Sequence, residues 1–389
     1  MSALACDVLV VGAGPAGSAA AAALARAGRD VLLVESRSHP RAKTCAEYAS
    51  PRLAEELERL EVPDWRAAAI PLDAMHVVRG ATRVPITYRD GGGARTAWGL
   101  DRVAFDTLLA RHAVARGAVL LERTRLADVE HDEGRVAGAT LAGPDGTVRV
   151  RCGWLIGADG ARSRVARALN VERPLVGPRR LGLVARYEGG DDLRDHGEMH
   201  VGRDHYVGLA PTPGGQLNVG MALPLDAPGT AEGRFAAAIA ALPAVTARLH
   251  GLRRLTAIRG ASPIGHRVAR TAGPGWLLVG DAAGFVDPFT GEGIYRALRS
   301  ARLAVDALAD DWAGADARYR DARRGAFAAK DALTWLVQGM LAAPPLLGYA
   351  LRRLEGRPAP AAVLGAALGD CRPATDALAP GFLAQVLRP

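Results

Sequence analysis

Gly12-Ala13-Gly14-Pro15-Ala16-Gly17 places glycines at the first, third and sixth positions of a short loop. That spacing allows a tight turn at Gly12, brings bare backbone against a pyrophosphate at Gly14, and lets a helix pack close to a strand at Gly17. The helix amides and the helix dipole then face the phosphate charge. Glu35 lies 18 residues after Gly17, where a carboxylate can accept the hydroxyls of an adenosine ribose. The chemistry implied is dinucleotide binding. Pro15 and Ala16 in the loop, and Ser36 and Arg37 beside the acid, join the same set.

A second cradle lies far downstream. Gly280-Asp281-Ala282-Ala283-Gly284 is followed by Asp287-Pro288-Phe289-Thr290-Gly291-Glu292-Gly293-Ile294. A carboxylate at Asp281 can accept a ribityl hydroxyl. Gly291 and Gly293 permit close approach to a flat ring, and amides at the start of the next helix can stabilise negative charge on that ring. Pro288 and Ile294 belong to this segment. A nicotinamide enzyme needs no such second site, so the pair of motifs points to FAD.

These motifs, with Gly157-Ala158-Asp159-Gly160 between them, resemble the flavoprotein superfamily that contains para-hydroxybenzoate hydroxylase, squalene epoxidases, flavin halogenases and geranylgeranyl reductases. The resemblance covers about residues 5–310. It implies one FAD, with Asp159 and Gly160 serving FAD and NAD(P)H, and with Arg102 reaching the FAD phosphates; a helix-capping aspartate and a surface arginine are the alternatives. Leu126 is placed in the same cofactor set. No second glycine loop is present, so NAD(P)H is expected to visit only transiently, and a separate reductase could supply the electrons. Cys45, in Pro40-Arg41-Ala42-Lys43-Thr44-Cys45-Ala46-Glu47, falls where geranylgeranyl reductases carry a Lys-Pro-Cys-Gly type loop, which implies a position beside the flavin; a buried inert thiol is the other reading. Arg41 and Lys43 either bind phosphates or are solvated.

The fold hosts both oxygen activation and hydride transfer. His205-Tyr206-Val207-Gly208-Leu209-Ala210-Pro211 keeps the tyrosine and proline of a reductase Tyr-x-Trp-x-Phe-Pro-Lys stretch but lacks its aromatic residues. The halogenase Trp-x-Trp-x-Ile-Pro motif is absent. The leading expectation is therefore an NAD(P)H- and O2-dependent monooxygenase that hydroxylates or epoxidises an aromatic, polyketide or lipid-like molecule through a flavin C4a-hydroperoxide. The alternatives are a geranylgeranyl-reductase-like enzyme acting on C=C bonds, a flavin-dependent halogenase and a non-catalytic FAD-binding protein. A phenol hydroxylase needs a base, and His200, His205 and Tyr206 are the candidates, with Cys45 as a further catalytic candidate. No metal is expected: His196 and His200 in an extended strand stand about 13 Å apart.

The elements that must carry these groups follow from periodicity. Asp7–Val11, Asp30–Glu35, Cys152–Ile156 and Trp276–Val279 are continuously apolar, as strands covered on both faces require. Pro15–Gly28, Arg102–Arg116 and Ala297–Asp310 read as helices. Arg125–Val150 reads as a ribbon with turns at Asp132-Glu133-Gly134 and Pro144-Asp145-Gly146. Leu181–Tyr187, Glu198–Val201, Tyr206–Ala210 and Gln216–Ala222 read as antiparallel strands. The expected fold is α/β: a Rossmann-type, three-layer ββα FAD-binding domain written as 1–65, 96–180 and 260–325, an antiparallel-sheet substrate domain from 66–95 and 181–259, and a helical C-terminal region 326–389.

Composition narrows the class. The chain has 389 residues, net charge +8 and an estimated pI of 9.8, but its Lys and Arg residues are scattered without aromatic interleaving, which argues against nucleic acid. Four dispersed cysteines without a CxxC pair suit a reducing cytoplasm. Ala332–Leu351 carries no charge and approaches a bilayer span in length. Pro344 and Pro345 break it, so two helices packed on the protein are expected, with peripheral membrane or lipid contact as the other reading.

Overall fold

In a computed structural model that describes residues 4–387 other than Pro178, Arg194 and Asp310, the strand Leu4–Val11 lies at the centre of a parallel sheet. Val31–Val34 pairs with it on one side and Gly146–Gly157 on the other; Val119–Leu121 and Trp276–Leu278 flank these. Alternate residues of the central strand face opposite layers. Val8 and Val10 pack under the helices Pro15–Arg26, Arg102–Ala115 and Gly293–Ala307, while Leu9 and Val11 pack against Leu126, Val129, Val136 and Leu141 of a meander. Both faces being covered, the strand has no polar side, which is why its sequence is uninterrupted Val and Leu.

One strand does two jobs. Gly146–Gly157 pairs antiparallel with Arg135–Gly143 in its first half and parallel with the central strand in its second. The short strand expected at Cys152–Ile156 is the second half of this longer one, whose partner changes along its length.

The second large sheet runs in the spatial order Arg259–Ala261, Arg180–Glu188, Gln216–Pro224, Tyr206–Thr212, His196–Val201, Ala74–Arg79, Thr82–Asp90, Gly93–Arg95. His196–Val201 and Ala74–Arg79 pair in parallel, so this sheet is mixed. Its back face is covered by the helices Ala231–Ala240 and Pro243–Leu249. The C-terminal part is helical from Ala315, earlier than position 326. The apolar run breaks at Ala343 between the helices Ala315–Ala342 and Pro344–Glu355. Leu341, Leu347, Leu351 and Leu354 from these helices pack with Val84, Ile86, Tyr88 and Met199. Among the described residues no helix is long and apolar enough to cross a membrane.

Candidate functional site

The glycine loop sits where the central strand meets its helix. Gly12 has φ +106°, and a Cβ there would lie 2.6 Å from the Ala158 carbonyl oxygen. A Cβ on Gly17 would lie 1.8 Å from the Gly12 carbonyl oxygen, so only glycine lets the helix approach its own loop. Gly14 differs: a Cβ there would meet only Arg41 Nη2, at 3.6 Å. Gly14 is the helix N-cap with no side-chain cap bond; Pro15 follows at N1, and the first turn holds no acid. A helix start left uncapped over a glycine is a seat for a phosphate.

Glu35 is buried beside this seat. Its Oε2 accepts the Ala13 N–H at 3.2 Å, and its Oε1 accepts the Arg37 N–H at 3.1 Å and the Ser36 hydroxyl at 3.0 Å. Ser36 and Arg37 thus hold the carboxylate, through a hydroxyl and a main-chain amide. Arg41 pairs with Glu35 at 3.0 Å and with Asp106 at 3.4 Å, and Arg102 forks onto Asp106 at 2.8 and 3.0 Å. Glu35, Arg41, Asp106 and Arg102 therefore alternate in charge along one wall. Arg102 is buried, not solvated, but its guanidinium is turned onto Asp106. Leu126 is packed in the core beneath the sheet, which gives its side chain a structural place.

Asp159 does what an N-cap does and retains an oxygen. Its Oδ2 accepts the N–H groups of Arg164 at 2.6 Å and Val165 at 3.3 Å, while its Oδ1 is buried without a partner. Burial pushes this carboxyl above its usual range. Lys43 Nζ lies 3.8 Å from Asp281 and 3.5 Å from where a Cβ of Gly160 would stand, so Lys43, Gly160 and Asp281 converge between the two cradles. Gly280, at φ +59°, donates its N–H to Ser300 Oγ at 2.8 Å and brings the turn onto Ala16. An uncapped helix start, a bare glycine and an orphaned buried oxygen are what a pyrophosphate and hydroxylated tail would fill; these residues fit FAD.

Gly291 (φ +70°) precedes the 15-residue helix Gly293–Ala307, which Gly293 begins behind a buried Glu292 at the N-cap and whose first turn holds no acid; Ile294 anchors it in the core. Facing Gly291 is a small apolar channel, about 40 Å³ in volume, lined by Ala46, Met75, Val77, Ile86, Met199, Gly208, Leu209, Ala210, Pro288, Phe289 and Leu368, with Thr290 and the phenols Tyr48 and Tyr88. None of the lining residues is charged, and none is a histidine.

The catalytic candidates are dispersed. His205 turns to the back of the second sheet, bonding Asp204 at 3.0 Å and the Ala238 carbonyl at 3.3 Å. The structure does not bring it to the channel, because it precedes the strand in a turn under the Ala231–Ala240 helix. His200 is buried against Glu198 at 2.8 Å. Tyr206 is buried edge-on to Phe289, its hydroxyl donating to Asp287 Oδ1 at 2.6 Å; Asp287 is paired with Arg180 at 3.0 Å. Cys45 is half-buried, its Sγ accepting the Glu47 N–H at 3.3 Å, and its carbonyl accepts from Asn218 at 3.0 Å. His196 meets His76 across the parallel pairing. Together with Glu198 these place three ligand atoms within 4.8 Å of one another, but Arg83 Nη2 already lies 2.6 Å from His76, 3.0 Å from His196 and 2.9 Å from Glu198, so a guanidinium occupies that centre.

Asp106, Tyr48 and Tyr88 escaped the sequence reading. The i, i+4 spacing from Arg102 was the available signal for Asp106. Nothing local links residues 48 and 88, which meet only through the tertiary fold.

A family model described as "FAD binding domain" matches residues 5–319. The chain is 34% identical over 320 residues to a menaquinone reductase of Mycolicibacterium smegmatis, covering 78% of this chain and 76% of that protein. It is 34% identical over 340 residues to digeranylgeranylglycerophospholipid reductase 1 of Methanopyrus kandleri, covering 81% and 85%. Among solved structures it superposes on a flavin-dependent brominase with a TM-score of 0.83 at 21% identity, over 96% of this chain and 97% of that one, a likeness of fold.

Proposed function

The chain belongs to the FAD-binding-domain family and is an FAD-dependent oxidoreductase, and on that premise we propose that it reduces carbon–carbon double bonds in an isoprenoid lipid or prenylated quinone. The observation that carries this reading is the channel beside Gly291, whose walls are Met75, Val77, Ile86, Met199, Phe289 and Leu368. These walls offer apolar contact to a segment of hydrocarbon chain and no partner to a charged group. Hydroxylation of a phenol calls for a base at the ring, and no histidine or carboxylate lines the passage. The relatives' names point the same way, since both act on molecules bearing isoprenoid tails. Reduction therefore stands ahead of oxygenation.

Bound FAD supplies the two electrons that saturating one double bond consumes. In this reading the amides at Gly14 and the guanidinium of Arg41 hold its phosphates, Glu35 the ribose, and Asp281 with Lys43 the tail. Pro288, Phe289 and Gly291 set the wall against which the double bond rests, and Met75 and Ile86 exclude water. A transiently bound reduced nicotinamide is the electron source.

The experiment is anaerobic incubation of the holoenzyme and NADPH with menaquinone and with a geranylgeranyl phospholipid. Products that gain two hydrogens per bond, without oxygen, are expected. Oxygen uptake in air coupled to products that gain an oxygen atom would overturn the proposal.

A further inference from the structure

Two phenols share a hydrogen bond in the channel wall: the hydroxyl oxygens of Tyr48 and Tyr88 lie 2.5 Å apart, and both rings are buried. Two hydroxyls carry two protons, and the bond between them uses one. Among the described residues, the other finds no acceptor within hydrogen-bonding distance. It is available to a molecule in the channel, which both residues line. Tyr206 offers the contrast, because its proton is committed to Asp287.

The two tyrosines are not equivalent. Tyr48 packs on Gly291, where a Cβ would stand 2.7 Å from the ring, so it faces the segment assigned to the flavin. Tyr88 packs on Gly369, where a Cβ would stand 2.3 Å from its ring, so the C-terminal helices hold it from behind. Burial raises both phenols above their usual range, and Cys371 and Asp370 are the other titratable groups acting on them. Both stay protonated at neutral pH, which suits an acid and excludes a base.

Resting on the alkene-reduction reading above, we propose that Tyr48, backed by Tyr88, is the acid that delivers the proton in that reduction. Two electrons and one hydrogen pass from reduced FAD to one alkene carbon; the O–H bond of Tyr48 breaks and its proton forms the second C–H bond. FAD is left oxidised and Tyr48 a phenolate. That phenolate takes the proton of Tyr88 through their hydrogen bond, and water returns a proton to the pair. A reduced nicotinamide restores the electrons. Negative charge developing on the second carbon makes even a weak acid competent.

The test compares wild type with Tyr48→Phe and Tyr88→Phe as holoenzymes. FAD content and binding of a saturated isoprenoid alcohol, phytanol, read from the flavin absorbance bands, are expected to be unchanged, since only hydroxyls are removed. Each enzyme is then reduced with dithionite and mixed anaerobically with geranylgeranyl diphosphate or menaquinone, in H2O and D2O. Wild type should reoxidise with two solvent deuteriums per saturated bond, because the hydrogen of dithionite-reduced flavin also comes from solvent, and with a solvent isotope effect. Tyr48→Phe should slow that step by about 100-fold or more, and Tyr88→Phe by about 10-fold. A wild-type rate in Tyr48→Phe, or a loss explained entirely by weaker phytanol or FAD binding, overturns the acid role. A wild type that reoxidises with neither probe overturns the reductase reading itself.

Discussion

Replacing Gly17 by alanine separates the two tasks of the glycine loop when set beside Gly14→Ala. The new Cβ of Gly17→Ala would stand 1.8 Å from the Gly12 carbonyl oxygen, and ordinary contact begins near 3.4 Å, so loop and helix must part by about 1.6 Å. The obstacle is backbone and cannot rotate away. Overpacking of a filled interior costs about 1–3 kcal/mol, and a backbone clash belongs at the upper end, about 3 kcal/mol. With an unfolding entropy of about 2.1 cal/mol/K per residue over 389 residues, that corresponds to a fall in Tm of about 4 °C. The same displacement withdraws the helix amides from the phosphate, and losing about 3 kcal/mol there weakens FAD by about 100-fold. Gly14→Ala meets only Arg41 Nη2 at 3.6 Å and sits at φ −82°, where alanine is unstrained. Its FAD-free Tm should stay within about 1 °C of wild type, because exposed substitutions without a steric cost cluster near zero, while FAD affinity falls at least about 10-fold because the methyl group occupies the approach to the phosphate. The assays are thermal unfolding with and without FAD, and titration of FAD fluorescence. Equal Tm losses in the two FAD-free variants, or unimpaired FAD binding by Gly17→Ala, would refute this reasoning.

Arg180→Met should destabilise the protein by about 3–5 kcal/mol, since it strands Asp287, a buried carboxylate now left with only the Tyr206 hydroxyl and the Phe289 amide; chemical denaturation checks it, and a change under 1 kcal/mol would count against a buried pair. Arg186→Met likewise removes the partner of Glu47 and Asp101, bonded at 2.5 and 2.9 Å, and should lower the denaturation midpoint, whereas Arg186→Lys should recover only part because a single ammonium cannot fork. Burial, then His196 and Arg83, lower His76 from 6.5 to about 4. The unfolded chain therefore binds a proton that the folded one refuses, and stability is lost as pH falls from 6.5 towards 4; the Tm–pH slope of His76→Phe over that window should be shallower than wild type.

Much of the cofactor site was legible along the chain. The spacing of Gly12, Gly14 and Gly17 declares itself locally, and the clash that demands Gly17 is with Gly12 in the same turn; the one that demands Gly12 is with Ala158, at the end of a strand brought alongside only by folding. The uninterrupted Val8–Val11 run likewise announced a strand covered on both faces. The direction of single side chains was not legible in the same way. In the second sheet the strand begins at Tyr206, which lies edge-on to Phe289, while His205, in the turn one place earlier, faces Ala238. Arg102 was recognisable by position, but its pairing with Asp106 and the link through Arg41 to Glu35 depend on three segments folding together.

The sequence by itself determined that this is an α/β FAD-binding protein, because the motifs that say so are contiguous and their spacing is their mechanism. Only the tertiary structure decided what lines the apolar channel beside Gly291. Tyr48, Tyr88, Met199 and Phe289 come from segments far apart in the chain, brought to one channel by parallel pairing of Ala74–Arg79 with His196–Val201 and by helices closing over them. Long-range pairing leaves no local periodicity to read, since each contributing segment is stabilised by partners it meets only after folding.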